Sequence, residues 1–276
     1  MHKSLLAAMA ACFCVVATPA HAIVKGTPVP AGQYTNVAEI VLAQVAGCTG
    51  TLIAPDYVMT AGHCGSLTGG TAGVAQPVAK FPAQSIDVYL GSNKSGKGTK
   101  YAVSEVTVEP DYLLHDGYDI TLLHLAKAVT GIAPTLLAGP SERSIWEPGD
   151  VQTIVGWGTT SSGGSSPDTL QVAQVPIVSD AACEAAYGKD SLTLTGYHGF
   201  ESASQVCAGD GVHDTCQGDS GGPMFAPNAS GVLRLTGATS YGQGCADPDY
   251  PGVYARVADS ALRTWVGSIV PAALAP

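Results

Sequence analysis

The decapeptide Asp214-Thr215-Cys216-Gln217-Gly218-Asp219-Ser220-Gly221-Gly222-Pro223 leaves this chain few backbones to choose from. Glycines on both sides of Ser220 permit a sharp turn and let main-chain amides come close to whatever approaches the hydroxyl. A serine hydroxyl is a poor nucleophile until a base takes its proton and donors receive the oxyanion formed on attack. Gly-Asp-Ser-Gly alone fits a plain surface turn as well as a reactive one. The longer run, with a second acid six residues before the serine, is much rarer and makes a base and an orienting acid worth seeking elsewhere.

Both are found. Thr60-Ala61-Gly62-His63-Cys64 follows two short apolar runs, Thr51 to Ala54 and Tyr57 to Met59, broken at Pro55-Asp56. That pattern predicts two strands. Asp119 opens Asp119-Ile120-Thr121-Leu122-Leu123-His124-Leu125, and an acid at the head of an apolar strand is not simple surface charge. Together these three segments resemble those of the trypsin and chymotrypsin family of serine peptidases. The order His63, Asp119, Ser220 is that family's order and differs from the α/β-hydrolase and subtilisin orders. Gly62 stands where the family more often has Ala, a small-for-small change.

The resemblance implies an all-β fold of two six-stranded antiparallel β-barrels with a C-terminal α-helix, and a cleft between the barrels. It implies that His63 takes the Ser220 proton, that Asp119 orients His63, and that the amides of Gly218 and Ser220 form an oxyanion hole. Ser240 matches the family serine that bonds the buried aspartate, although a strand-end hydroxyl is an equal reading of the residue. Asp214, six before the nucleophile, falls at the base of the family's specificity pocket, with Gly242 and Gly252 as its walls. An acid with that clearance selects Arg or Lys before the cut. Tyr187 is similar to a tyrosine at the pocket entrance, with an ordinary packed tyrosine as the alternative. Of the remaining histidines, His115, His198 and His213 lie in polar sequence and read as solvated, and His124 as a packed or edge residue.

Residues 1–22 carry Lys3, an apolar run from Leu5 to Ala17, and Ala20-His21-Ala22. This fits a secretory leader that is too short to span a membrane. Met9-Ala10-Ala11-Cys12 faintly resembles a lipoprotein box, but cutting there leaves an unusually short leader. Ile23-Val24-Lys25-Gly26 is similar to the start of active family members, whose new α-amine pairs with the aspartate before the nucleophile, here Asp219. Cleavage after Ala22 releases Ile23 directly, whereas cleavage after Ala20 leaves a His21-Ala22 dipeptide.

The expected organisation is therefore a leader (1–22), a first barrel half (23–138) and a second barrel half with the terminal helix (139–276), the helix running from Ala258 to Val270. With 34 Gly, 18 Pro and 12% charged residues, the composition suits short strands and tight turns. Six cysteines remain beyond the leader, an even set in an exported protein, and admit 15 pairings. The resemblance selects Cys48 with Cys64, Cys183 with Cys207, and Cys216 with Cys245. Zinc is disfavoured because no Cys-x-x-Cys survives outside the leader. No cofactor or metal is implied, and Ser92 stands where some trypsins have a calcium-loop carboxylate.

A net charge of −10 argues against nucleic-acid binding and suits basic substrates. The partners expected are protein or peptide substrates and protein inhibitors, for a monomer that is extracellular or periplasmic and not bound to a membrane. Lys94, Lys97 and Lys100 form the expected first site of self-cleavage. Asn93-Lys94-Ser95 and Asn228-Ala229-Ser230 match the glycosylation sequon. Two rival readings are an inactive homologue used as a binding module, which should have lost a triad residue, and an esterase on another fold. The second needs its acid and histidine after the Gly-x-Ser-x-Gly turn, but the supporting histidine lies before it.

Overall fold

In the computed structural model, residues 23–44, 46–67, 79–188, 199–258 and 261–276 are described. After the two-residue strand β1 (Thr27–Pro28) come β2 (Val37–Leu42), β3 (Ala46–Ala54) and β4 (Tyr57–Thr60). A single helical turn, α1 (Gly62–Gly65), leads toward β5 (Ile86–Leu90), β6 (Thr99–Val108) and β7 (Thr121–Leu125). The second half contains β8 (Val151–Gly156), β9 (Gln171–Val178), helix α2 (Asp180–Tyr187), β10 (Gln205–Ala208), β11 (Pro223–Pro227), β12 (Leu233–Tyr241), β13 (Gly252–Arg256) and helix α3 (Ala261–Ile269).

Two antiparallel barrels result. The first closes in the order β2-β3-β4-β7-β6-β5, and the second in the order β8-β9-β10-β13-β12-β11. Alternation drives this closure: β5 runs buried, half-buried, buried, half-buried, buried, so one face fills the barrel. Ile40, Leu52, Val58, Val88 and Leu123 fill the first interior. Ile154, Val175, Val206, Met224 and Tyr254 belong to the second core. A third apolar cluster welds the barrels, joining Met59, Ile120 and Leu122 to Val155, Trp157, Phe225 and Leu235. Burying each large apolar side chain contributes about 1.5–3 kcal/mol before the entropy of ordering is counted.

The first residues depart from the expected division. Residues 23–29 fall in the first barrel half of that division, but β1 pairs with β9 of the second, Thr27 opposite Val172. Ile23 is fully buried in the second core. The physical reason is edge availability: the closed first barrel has no free edge, whereas β10 pairs only with residues 177–178 of β9, leaving its start open. At the other end, Leu262, Trp265, Val266 and Ile269 of α3 pack on the inter-barrel cluster at helical spacing. Residues 259–260 of the expected helix lie outside the described residues.

The disulfides join Cys48 to Cys64, Cys183 to Cys207 and Cys216 to Cys245. The first ties β3 to α1, the second ties α2 to β10, and the third links the segments that precede β11 and follow β12.

Three surface expectations are revised. The lysine-bearing loop is exposed but pinned: Ser95 N–H donates to Asp168 O, Leu170 N–H to Asn93 O, and Lys94 Nζ to Thr169 Oγ1. Lys100 lies in β6 opposite Tyr89 and pairs with Asp87. Neither sequon offers a free amide, since Asn93 Nδ2 donates to Val29 O and Asn228 Nδ2 to Glu142 Oε1. His213 is not simply solvated, because its Nδ1 lies 2.8 Å from Asp210 Oδ2. His115 lies 3.5 Å from Glu201, His124 stacks on Tyr57, and His198 lies outside the described residues. Among the described residues, no helix is long and apolar enough to cross a membrane.

Candidate active site

The single turn α1 places His63 at the inter-barrel cleft, fastened through its neighbour Cys64 to β3. Asp119 comes from the residue pair just before β7 and is almost wholly buried. Its Oδ1 accepts the His63 main-chain N–H at 2.9 Å, and its Oδ2 lies 2.9 Å from His63 Nδ1. The Ser240 hydroxyl donates to the same Oδ2 at 2.6 Å. Burial alone favours the neutral acid, yet the His63 charge and these donors outweigh it and hold the Asp119 pKa below the ordinary carboxylate value. For His63, burial pulls the pKa down, but the Asp119 charge and hydrogen bond prevail and leave it above the usual imidazole value. The imidazole therefore has one nitrogen engaged and its tautomer set by a carboxylate.

Gly62 is tighter than its small-for-small reading suggests. A methyl group there would lie 2.9 Å from both Asp119 Oδ1 and a Tyr112 ring carbon. The space has been taken up by the residues around the acid.

Ser220 sits in the turn between Asp219 and β11, facing His63 across one cavity of about 200 Å³. Among the described residues no hydrogen bond joins Ser220 to His63, and neither the Gly218 nor the Ser220 amide donates to another group. The turn is anchored from the first barrel, since Thr49 N–H donates to Ser220 O and Thr49 Oγ1 to Gly218 O. Two glycines make it possible. Gly218 has φ +99°, and Gly221, at φ +75°, packs so tightly on Thr60 and Ala61 that no side chain fits.

Asp214 lines the same cavity and is 5% exposed. Its carboxylate accepts the Thr215 and Ala246 amides, both at 2.8 Å, but burial prevails and pushes its pKa up to about 6. Gly242 and Gly252 line the route. A methyl at 252 would stand 2.7 Å from Asp214 Oδ1, whereas one at 242 would approach nothing closer than Gly244 O at 3.8 Å. Tyr187 does not line this cavity. It lies behind the wall, edge-on to Tyr241, with its hydroxyl donated to Pro251 O, as the packed reading would have it. Tyr241, absent from the sequence reading, forms the wall itself. No alternation marks it out, because β12 is buried continuously from Leu235 to Tyr241 and its pairing with β13 shifts register between Thr239 and Tyr241.

Asp219 is fully buried beneath the serine turn. It accepts Gly158 N–H at 2.7 Å and Cys216 N–H at 2.9 Å, yet burial still pushes its pKa up to about 7. It has no cation among the described residues. Ile23 is brought toward this region, since the next residue, Val24, bridges to Asp214 with its N–H donated to Asp214 O at 2.8 Å. In the continuous chain the Ile23 nitrogen is an amide.

Comparison with known proteins bears on this arrangement. The family model described as Trypsin matches residues 23–266. A trypsin of Saccharopolyspora erythraea is 42% identical over 215 residues, covering 76% of this chain and 82% of the relative. Trypsin-1 of Astacus astacus is 38% identical, covering 76% and 83%. A tryptase of Mus musculus is 34% identical, covering 81% and 78%.

Proposed function

Since the chain belongs to the trypsin family and is a serine endopeptidase acting on protein substrates, we propose that it cleaves after Arg or Lys through His63, Asp119 and Ser220. One observation carries this reading: an imidazole held by a buried carboxylate shares a cavity with a serine, and a second buried acid lines that same cavity. Ser220 attacks the scissile carbonyl while His63 Nε2 takes its proton, then returns it to the leaving amine. Substrate binding must bring the hydroxyl and the imidazole within hydrogen-bond reach, because such bonds are often long in the free enzyme. The free amides of Gly218 and Ser220 receive the oxyanion, and losing one such donor typically costs about 3–4 kcal/mol. Asp214 pairs with the substrate's guanidinium or ammonium, and Ser240 and Asp119 keep the base oriented.

Activation belongs to the same proposal. A free α-ammonium at Ile23 supplies the cation that buried Asp219 lacks, and the oxyanion turn is ordered as a consequence. The leader-like residues 1–22 and the three disulfides support export to an oxidising compartment.

Cleavage of a mixed peptide library by the protein beginning at Ile23 tests the specificity. Cuts should fall after Arg and Lys, a phosphonate should label Ser220 stoichiometrically, and Ser220→Ala should lower kcat by roughly a million-fold. Strong preference for apolar residues before the cut would remove Asp214 from its assigned role.

A further inference from the structure

A second cavity opens on the other side of the Gly218 turn. It shares Gln217 with the first but contains neither Asp214 nor the glycine walls, and Glu39, Ser95, Trp157, Pro167 and Gly218 line it. Because Gln217 borders both cavities and Gly218, which receives the oxyanion in the reading above, lines the second, this opening is available to the leaving-side residues of a substrate whose acyl-side residue enters the Asp214 cavity.

Glu39 is the one acid in that lining. It stands on β2 directly opposite Thr49 of β3, the residue that anchors Gly218 and Ser220. Its carboxylate is fixed from the side by the pinned loop: Ser95 Oγ donates to Oε1 at 2.5 Å and Gly96 N–H to Oε2 at 2.7 Å. That loop is itself bonded to residues 168–170, so both walls of the opening are cross-linked. Among the described residues no cation pairs with Glu39. A half-buried, pre-oriented carboxylate has further acceptor sites beyond the two engaged.

The geometry points to Glu39 as a specificity determinant for the leaving side of the substrate, favouring an Arg or Lys among the first three residues after the scissile bond. This rests on the peptidase reading above and adds a second acidic selection to that of Asp214. Peptides would thus be favoured where basic residues stand on both sides of the cut.

Peptides with a common acyl half can carry Arg or its neutral isostere citrulline at the first, second or third leaving-side position. At one of these, Arg should raise kcat/KM about fivefold over citrulline, within the range of a partly exposed charge pair. Glu39→Gln should abolish that ratio while leaving hydrolysis of an arginyl anilide, which has no leaving-side residues, near its original rate. A ratio of one at all three positions in the unmodified enzyme would overturn the inference. So would an equal loss on Arg, citrulline and anilide substrates in Glu39→Gln, since that marks a loop fastener only. If neither protein hydrolysed the anilide, the peptidase specificity itself would fall.

Discussion

At the residue scale, two acids in one cleft are tuned in opposite directions by their surroundings. Asp119 collects a hydroxyl, an amide and an imidazole and stays ionised, whereas Asp214 collects only two amides, burial prevails and its pKa rises to about 6. In the proposed mechanism catalysis needs His63 neutral and basic-substrate binding needs Asp214 charged, so acid opposes both. For arginyl substrates kcat/KM should fall steeply below about pH 6, with a slope approaching two. For a citrulline substrate it should fall with His63 alone, at a midpoint above the ordinary imidazole value. Parallel pH profiles with the two substrates check this, and coincident curves would dissociate Asp214 from substrate charge. The residues that specify this chemistry were legible in the sequence because each lies in a segment of restricted composition. Tyr187 and Gly62 were less legible, because their surroundings come from residues far away: Tyr241 and Pro251 for the first, Tyr112 and Asp119 for the second.

At the scale of the element, the coupling between β1's segment and the serine turn is the most consequential. Asp219 in the continuous chain has a pKa raised to about 7, above the unfolded carboxylate value near 3.9. A group raised on folding contributes stability that is complete below its unfolded pKa and is lost as pH climbs through its folded one. A Ser220→Ala protein extended by one residue before Ile23 should therefore lose Tm between about pH 4 and 7, and the form with a free Ile23 amine should not. Thermal melts across that interval provide the measurement, and equal slopes would refute the Ile23–Asp219 pairing. Helix α2 shows what local reading misses. Ser179 caps it by accepting Ala182 N–H, and Gly188 ends it at φ +75°, so both signals were present. With only Cys183 and Tyr187 buried, so short a helix leaves too little apolar periodicity to mark it in the sequence.

For the whole molecule, the proposed Arg/Lys specificity makes the scarcity of basic residues and the placement of those present the features that should limit self-digestion. A protease needs several residues of accessible, extended main chain, and the stretch from Lys94 to Lys100 is bonded to Asp168, Thr169 and Glu39 and continues into a paired strand. Sequence composition suggested a loose Gly/Ser loop; the bonds that hold it come from residues some seventy positions away. Mass spectrometry of an aged active preparation should find the linkage across residues 94–100 intact. Early cuts there would mean that the loop opens despite its anchors.

The attachment of β1 to β9 also carries a timing consequence. Val24 and Thr27 find their partners only at Asp214 and Val172, and Leu137 waits for Leu235 and Leu274. Under the proposed mechanism a nascent chain thus cannot present Ser220 in its folded turn until the second barrel has emerged, so hydrolytic competence arrives late in synthesis.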